Sequence, residues 1–140
     1  RFSNQRFITH DRASCVRYLR SFVGTENLFL SVRRADTDQA IGTMTAYVAV
    51  HHGTVDVGIM LGESSIWGGG YGQDAWSTLV EWLLERPTIR KLTAGTVACN
   101  TGMVRLMERS GMHLEATRSA QELIEGRPED ILYFARFRNA

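Results

Sequence analysis

Apolar positions recur along the chain in two alternating rhythms. After Thr9, the residues Ala13, Val16, Leu19 and Phe22 fall at helical spacing, which predicts a short helix capped by Thr9 and ended by Gly24. Leu28 to Val32 then reads as a buried strand, Ile41 to Val50 as a second and Thr54 to Leu61 as a third. Polar turns at Asp36-Thr37-Asp38 and His51-His52-Gly53 join them, as in an antiparallel meander. The period changes between Tyr71 and Glu85, where Ala75, Trp76, Leu79, Val80, Leu83 and Leu84 mark one face of a helix that stops before Pro87. Lys91 to Ala98 is the next strand. Asn100 caps a helix over Thr101 to Ser110, with Met103, Leu106 and Met107 on its apolar side and Gly111 just past its end. Met112 to Leu123 and Asp130 to Arg138 make two strands around a Glu125-Gly126-Arg127 turn. The predicted order is helix, three strands, helix, strand, helix, two strands. That is a mixed α/β (α+β) sheet interrupted by helices, not a repeated βαβ array.

Composition narrows the class without changing that picture. A chain of 140 residues suits one domain, and 44% hydrophobic with 22% charged residues excludes a disordered, collagenous or membrane-spanning protein. Sixteen basic side chains nearly balance fifteen acidic ones, which argues against a broad nucleic-acid surface. Cys15 and Cys99 are far apart with no metal-type spacing, so they read as reduced thiols of a cytoplasmic protein, and no metal site is expected. His51 and His52 are adjacent and would point to opposite faces of a strand; Arg33 and Arg34 read as a solvated strand end. The chain opens at Arg1 with no signal peptide, which suggests an N-terminally truncated domain spanning 1–140.

Four of the thirteen glycines crowd into Trp67-Gly68-Gly69-Gly70-Tyr71-Gly72-Gln73, between a strand and a helix. Glycines there let backbone N–H groups converge, and the helix start adds its own free N–H groups and the positive end of its dipole. Such a turn suits phosphate oxygens. A Walker loop would end in Gly-Lys-Ser/Thr, which Gly72-Gln73-Asp74 does not supply. Gly70 to Ala75 formally matches the dinucleotide pattern G-x-G-x-x-A. It follows a meander rather than the first strand of a βαβ unit, however, and no acid closes the next strand at Val97-Ala98-Cys99-Asn100. A plain surface loop leading into a core helix is the bland alternative; a third phosphate reading, a pyrophosphate loop for coenzyme A, comes in through a family resemblance.

At this point the chain resembles the GNAT acetyltransferase superfamily, and more narrowly its Rim-type branch of ribosomal-protein N-terminal acetyltransferases. Relatives there carry W-G-x-G-Y-x-x-E-A at the loop, and this chain has Trp67 through Ala75 with Asp74 in place of Glu. In the wider family pattern, Q/R-x-x-G-x-G/A, Gly70 and Gly72 fit and Trp67 takes the first place. The likeness continues from Asn100 through Gly111-Met112 and ends at Gly126 and Asp130, covering the chain from Ile8 onward without the family's first strand. It implies a GNAT fold with acetyl-CoA as cosubstrate. It further implies that Ile59, Met60 and Leu61 pair with the pantetheine arm from a splayed strand. The amides of Gly68, Gly69, Gly70, Tyr71, Gly72 and Gln73 would hold the pyrophosphate, and Asn100 would hydrogen-bond the cofactor, with Met103 beside it.

Acetyl transfer to an amine needs a neutral nucleophile, a donor for the developing oxyanion and a proton for the departing thiolate. Asp56, three residues before the pairing segment, and Glu122, near the end of the first hairpin strand, are the candidate bases. Glu122 is preferred because some Rim-type relatives carry a catalytic Glu there. The family's usual proton donors are absent: Met107 stands seven residues after Asn100 where many relatives have Tyr, and Met103 stands where Rim-type relatives have Ser. Tyr133 or water would take that role, and both Met residues also suit a plain helix core. Phe2, Phe7, Phe22 and Phe29 are core candidates that could also wall an acceptor pocket. The expected function is N-acetylation of a small amine, an amino sugar or a protein N-terminus. The alternative is a non-catalytic acyl-CoA-binding or sensing domain. Unpaired sheet edges at the terminal hairpin make a homodimer an expectation as well.

Overall fold

The computed structural model describes residues 1–62 and 64–139. Helix α1 (Arg12–Arg20) precedes strands β1 (Leu28–Arg33), β2 (Ala40–Ala49) and β3 (Thr54–Leu61). Helix α2 (Tyr71–Leu84), strand β4 (Lys91–Val97) and helix α3 (Thr101–Arg109) follow, and the long strands β5 (His113–Ile124) and β6 (Arg127–Phe137) close the chain. This is the element order read from the apolar pattern. Among the described residues six strands form one sheet in the order β1-β2-β3-β4-β6-β5, in which only β3 and β4 run parallel.

Boundaries in two elements need correction. Strand β6 starts at Arg127, expected in the turn, and not at Asp130, because Arg127, Pro128 and Glu129 pair with Ile124, Leu123 and Glu122. Asp11, not Thr9, caps α1: its carboxylate accepts the Ser14 N–H at 2.7 Å while the Ser14 hydroxyl accepts the Asp11 N–H at 3.0 Å. That reciprocal pair satisfies two otherwise free donors, which Thr9 is not placed to do. Gly24, expected to end the helix, lies in the turn beyond it with φ +73°.

Strand alternation decides which side of the sheet each helix covers. Met44, Ala46, Val55, Val57, Leu92, Ala94 and Phe134 face one side and form a continuous core with Trp76, Leu79, Val80 and Leu83 of α2 and Met107 of α3. Inside it, the fully buried Trp76 indole donates to the Ser110 hydroxyl at 3.0 Å, and that hydroxyl donates to the Met107 carbonyl at 2.8 Å. Each polar atom there is satisfied, so the tryptophan is buried without stranding its N–H. Helix α1 lies over the opposite face. Tyr18 and Phe22 pack against Phe29 and Tyr47, with Tyr18–Phe29 centroids 5.4 Å apart and Phe22 stacked on Phe29 at 5.3 Å. The Tyr18 and Tyr47 hydroxyls meet at 2.9 Å. Among the described residues no helix is long and apolar enough to cross a membrane, and no His, Cys, Asp and Glu cluster suits a metal ion.

Candidate active site: a cleft where two parallel strands part

Strands β3 and β4 pair over only three positions, Thr54 with Lys91, Val55 with Leu92 and Asp56 with Thr93. Beyond that point β3 stays bonded to β2 through Leu61, and β4 stays bonded to β6 through Val97. The two halves of the sheet therefore diverge and leave an unpaired strand edge on each side of a wedge. An open cleft of about 1650 Å³ fills the wedge and runs on between α1 and the ends of α2 and α3. The pairing segment Ile59, Met60 and Leu61 forms one wall, and Thr96 and Val97 form the other.

The glycine turn lies at one end of this cleft. Gly68 and Gly70 have φ of +81° and +85°, and a Cβ at either would meet nothing within 4 Å, so backbone conformation rather than crowding calls for glycine there. Gly70 is the N-cap of α2 and supplies no side-chain cap, in contrast to Asp11 of α1 and Asn100 of α3. The first helical N–H to find its carbonyl is that of Asp74, which donates to Gly70 at 3.0 Å. Those of Tyr71, Gly72 and Gln73 have no acceptor within the helix. The turn thus offers open backbone donors with space above them, which fits a pyrophosphate of coenzyme A. Gly72 has a second reason. It is already inside α2, and a Cβ there would come within 3.2 Å of the Leu61 side chain and 3.5 Å of the Leu106 side chain, so its smallness lets α2 sit close to β3 and α3. The Gln73 side chain donates along the helix to Ser77 at 3.0 Å, leaving its backbone N–H as its contribution to the turn. Trp67, in the first place of the loop pattern, donates its indole N–H to the Leu61 carbonyl at 3.3 Å and so ties the loop to β3.

Asn100 and Met103 reach the cleft from α3. Asn100 Oδ1 accepts the Met103 N–H at 3.4 Å and its Nδ2 donates to Thr96 at 3.1 Å, so the residue is first a helix cap with one amide hydrogen to spare. Met103 is half-buried on the cleft wall. Met107 is fully buried in the core and does not line the cleft, which settles its place as packing.

The two candidate bases lie in the same cleft on different strands. Asp56 sits at the crotch of the wedge, where its carboxylate accepts the Thr93 hydroxyl at 2.8 Å. Partial desolvation in that recess raises its pKa above the usual aspartate value, and the Thr93 hydrogen bond opposes the rise. Glu122 stands on the hairpin side and accepts from the Asn4 amide at 3.3 Å. A bulge aims it: Arg118 pairs with Ile131 and Glu122 with Glu129, so three residues of β5 oppose one of β6. Ala120 takes φ +50° within the bulge, and its N–H is held by Asp130 at 2.8 Å. Tyr133 also lines the cleft, its ring beside Gly95, where a Cβ would come within 3.1 Å, and under the Arg118 guanidinium at 5.5 Å. Tyr18, by contrast, is pushed up to about 12 by burial and then by its bond to Tyr47, so it stays protonated near neutral pH.

Of the four phenylalanines considered for the acceptor pocket, Phe2 and Phe29 line the cleft, Phe22 lies behind Phe29, and Phe7 is largely exposed against Arg6. His51 and His52 form an exposed turn, and Arg33 and Arg34 pair with Asp38 and Asp36. Thr93 and Gly95 escaped the sequence reading. Each acts through a residue that is distant in the chain, Asp56 and Tyr133, and no local spacing signals such a contact.

Comparison with known proteins agrees with this geometry. No curated protein matches the chain at a significant level. The fold is similar to that of spermidine N-acetyltransferase from Vibrio cholerae, solved with CoA and spermine, at 15% identity and TM-score 0.82 over 93% of this chain and 77% of that one. It is similar also to ribosomal-protein-alanine N-acetyltransferase from Brucella melitensis, at 20% identity and TM-score 0.79 over 94% and 81% of the two chains. A GNAT-family acetyltransferase from Bacillus anthracis aligns at 16% identity and TM-score 0.75 over 92% and 76%. The family model described as an acetyltransferase (GNAT) domain matches residues 1–113, and with the parted strands and the glycine turn beside them, the chain belongs to the GNAT acetyltransferase family.

Proposed function

We propose that this chain is an acetyl-CoA-dependent N-acetyltransferase that moves the acetyl group from a thioester to a primary amine by direct attack. The observation that carries the reading is the wedge between β3 and β4, with free backbone donors at one end and a carboxylate at its crotch. Acetyl-CoA supplies the activated acyl group. The edge of Ile59, Met60 and Leu61 would hold the pantetheine arm. The amides of Gly68, Gly70, Tyr71, Gly72 and Gln73 would hold the pyrophosphate, whereas that of Gly69, expected among them, already donates to the Ile66 carbonyl at 3.2 Å; Asn100 and Met103 would bound the cofactor from α3.

Asp56 has the first claim as general base. It must take a proton from an ammonium, and a carboxylate with a raised pKa is the better acceptor near neutral pH. Glu122, the preferred base on sequence grounds, supports the acceptor side of the same cleft, where a second carboxylate attracts a cationic amine. Tyr133, which lines the cleft, would return a proton to the thiolate, with water as its substitute.

The Rim-type assignment stays a proposal, since the Vibrio cholerae and Brucella melitensis enzymes differ in named acceptor and align comparably. Turnover with acetyl-CoA should therefore be measured against spermidine, spermine, an amino sugar and an alanine-led peptide, reading CoA thiol release and product mass. Acetylation of one of them is the expected outcome, and failure to bind acetyl-CoA in calorimetry overturns the reading. The second reading, an acyl-CoA sensor, is favoured by Met103 and Met107 at positions where relatives carry proton donors; binding with no acetylation of any amine would select it. A cytoplasmic location and a homodimer through the edge strand β5, with Leu114 and Leu123 exposed on it, belong to the same proposal. Light scattering decides the dimer.

A further inference from the structure

We infer that Thr93 is a positioning residue that sets the orientation and working pH of Asp56, an inference that rests on Asp56 as the base. Thr93 and Asp56 are the last paired positions of β3 and β4, directly where the strands part. The Thr93 hydroxyl lies 2.8 Å from Asp56 Oδ2 and 3.5 Å from the Val55 carbonyl, so its single hydrogen goes to the carboxylate when Asp56 is ionised. One carboxylate oxygen is thereby held by Thr93, and the other, Oδ1, is outside that bond in a residue that lines the cleft. In the reaction the ammonium N–H bond breaks, the proton goes to Oδ1, and the freed lone pair makes the amine a nucleophile. A hydroxyl hydrogen bond favours the ionised form, which offsets part of the desolvation in the recess. Without it Asp56 would be protonated at a higher pH and free to rotate.

The titratable groups around Asp56 do not supply the same effect. Tyr47 is its register partner on β2 and is bonded to Tyr18 of α1. Lys91, two residues before Thr93 on β4, is engaged with Glu115 of β5. Tyr133 of β6 lies beyond Gly95, with Arg118 over its ring, and Glu122, His10 and Cys15 line the cleft further along.

The test compares Thr93→Val, Thr93→Ser and Asp56→Asn in the full chain. Carbon-13 NMR of aspartate-labelled protein should show the Asp56 carboxyl titrating at higher pH in Thr93→Val and near its parent position in Thr93→Ser. With acetyl-CoA and the best acceptor among spermidine, spermine, an amino sugar and an alanine-led peptide, Thr93→Val should lower kcat/KM about tenfold on the acid side. Its acid limb should move upward, and Thr93→Ser should restore it. An unmoved Asp56 titration in a folded Thr93→Val protein overturns the role of Thr93, whatever the base. A moved titration beside an acid limb that survives Asp56→Asn, or no acetylation of any of these amines, overturns Asp56 as base and the positioning role with it.

Discussion

Asp56, as the proposed base, would be a side chain that works against stability in order to serve a reaction. Partial desolvation favours its neutral form, so its pKa in the fold lies above the unfolded value of 3.8. The folded state then binds a proton more tightly than the unfolded state. That contribution is fully present below the unfolded pKa and is lost as pH rises through the folded one. Asp56→Asn, which keeps an acceptor for Thr93 but carries no charge, should therefore raise the thermal midpoint at neutral pH and leave it unchanged near pH 3. On the proposal that Asp56 is the general base, the same variant should lower kcat/KM by about a hundredfold or more. Thermal melts at the two pH values and a pH–rate profile check both halves. At the loop, Gly70→Ala forces a side chain into φ +85°, a strain of about 1–2 kcal/mol without any clash. The expected result is weaker acetyl-CoA binding measured by calorimetry, with the fold intact.

At the level of elements, the placing of α2 and α3 against each other decides whether the wedge stays open. Their shared polar contact is the Trp76–Ser110 hydrogen bond inside the core, and Ser110→Ala should leave the indole N–H without a partner at about 1–3 kcal/mol in chemical denaturation. Gly72 acts at the same joint from the cleft side. Gly72→Val would press branched methyls toward Leu61 and Leu106, forcing α2 off β3, and should weaken acetyl-CoA binding more than Gly70→Ala does. A comparison of the two by calorimetry separates crowding from backbone strain. The elements themselves were legible because each carries its own period and stop: the helical stripe from Ala75 to Leu84, Asn100 at one cap, the turn at Gly126. The cap of α1 was misplaced because Thr9 and Asp11 are both good capping residues, and only the reciprocal bond to Ser14 separates them.

For the molecule as a whole, one core joins strands from both sides of the wedge to α2 and α3. The sheet divides locally, but its packing does not, so the chain should unfold in a single step. Tryptophan fluorescence and far-ultraviolet circular dichroism should give coincident denaturation curves; two separated transitions would mean that the halves of the sheet are independent. Apolar period, turn chemistry and a crowded glycine loop were enough, in the sequence alone, to determine the element order, the mixed sheet and the position of the glycine turn, since all three are written in neighbouring residues. Tertiary structure alone decided where β3 and β4 part, and that Asp56 stands at the parting with Thr93 against it. It also decided that a bulge turns Glu122 into the same cleft and that Met107 belongs to the core. Those outcomes depend on register and packing between segments far apart in the chain, and free energy of that kind has no local signature to read.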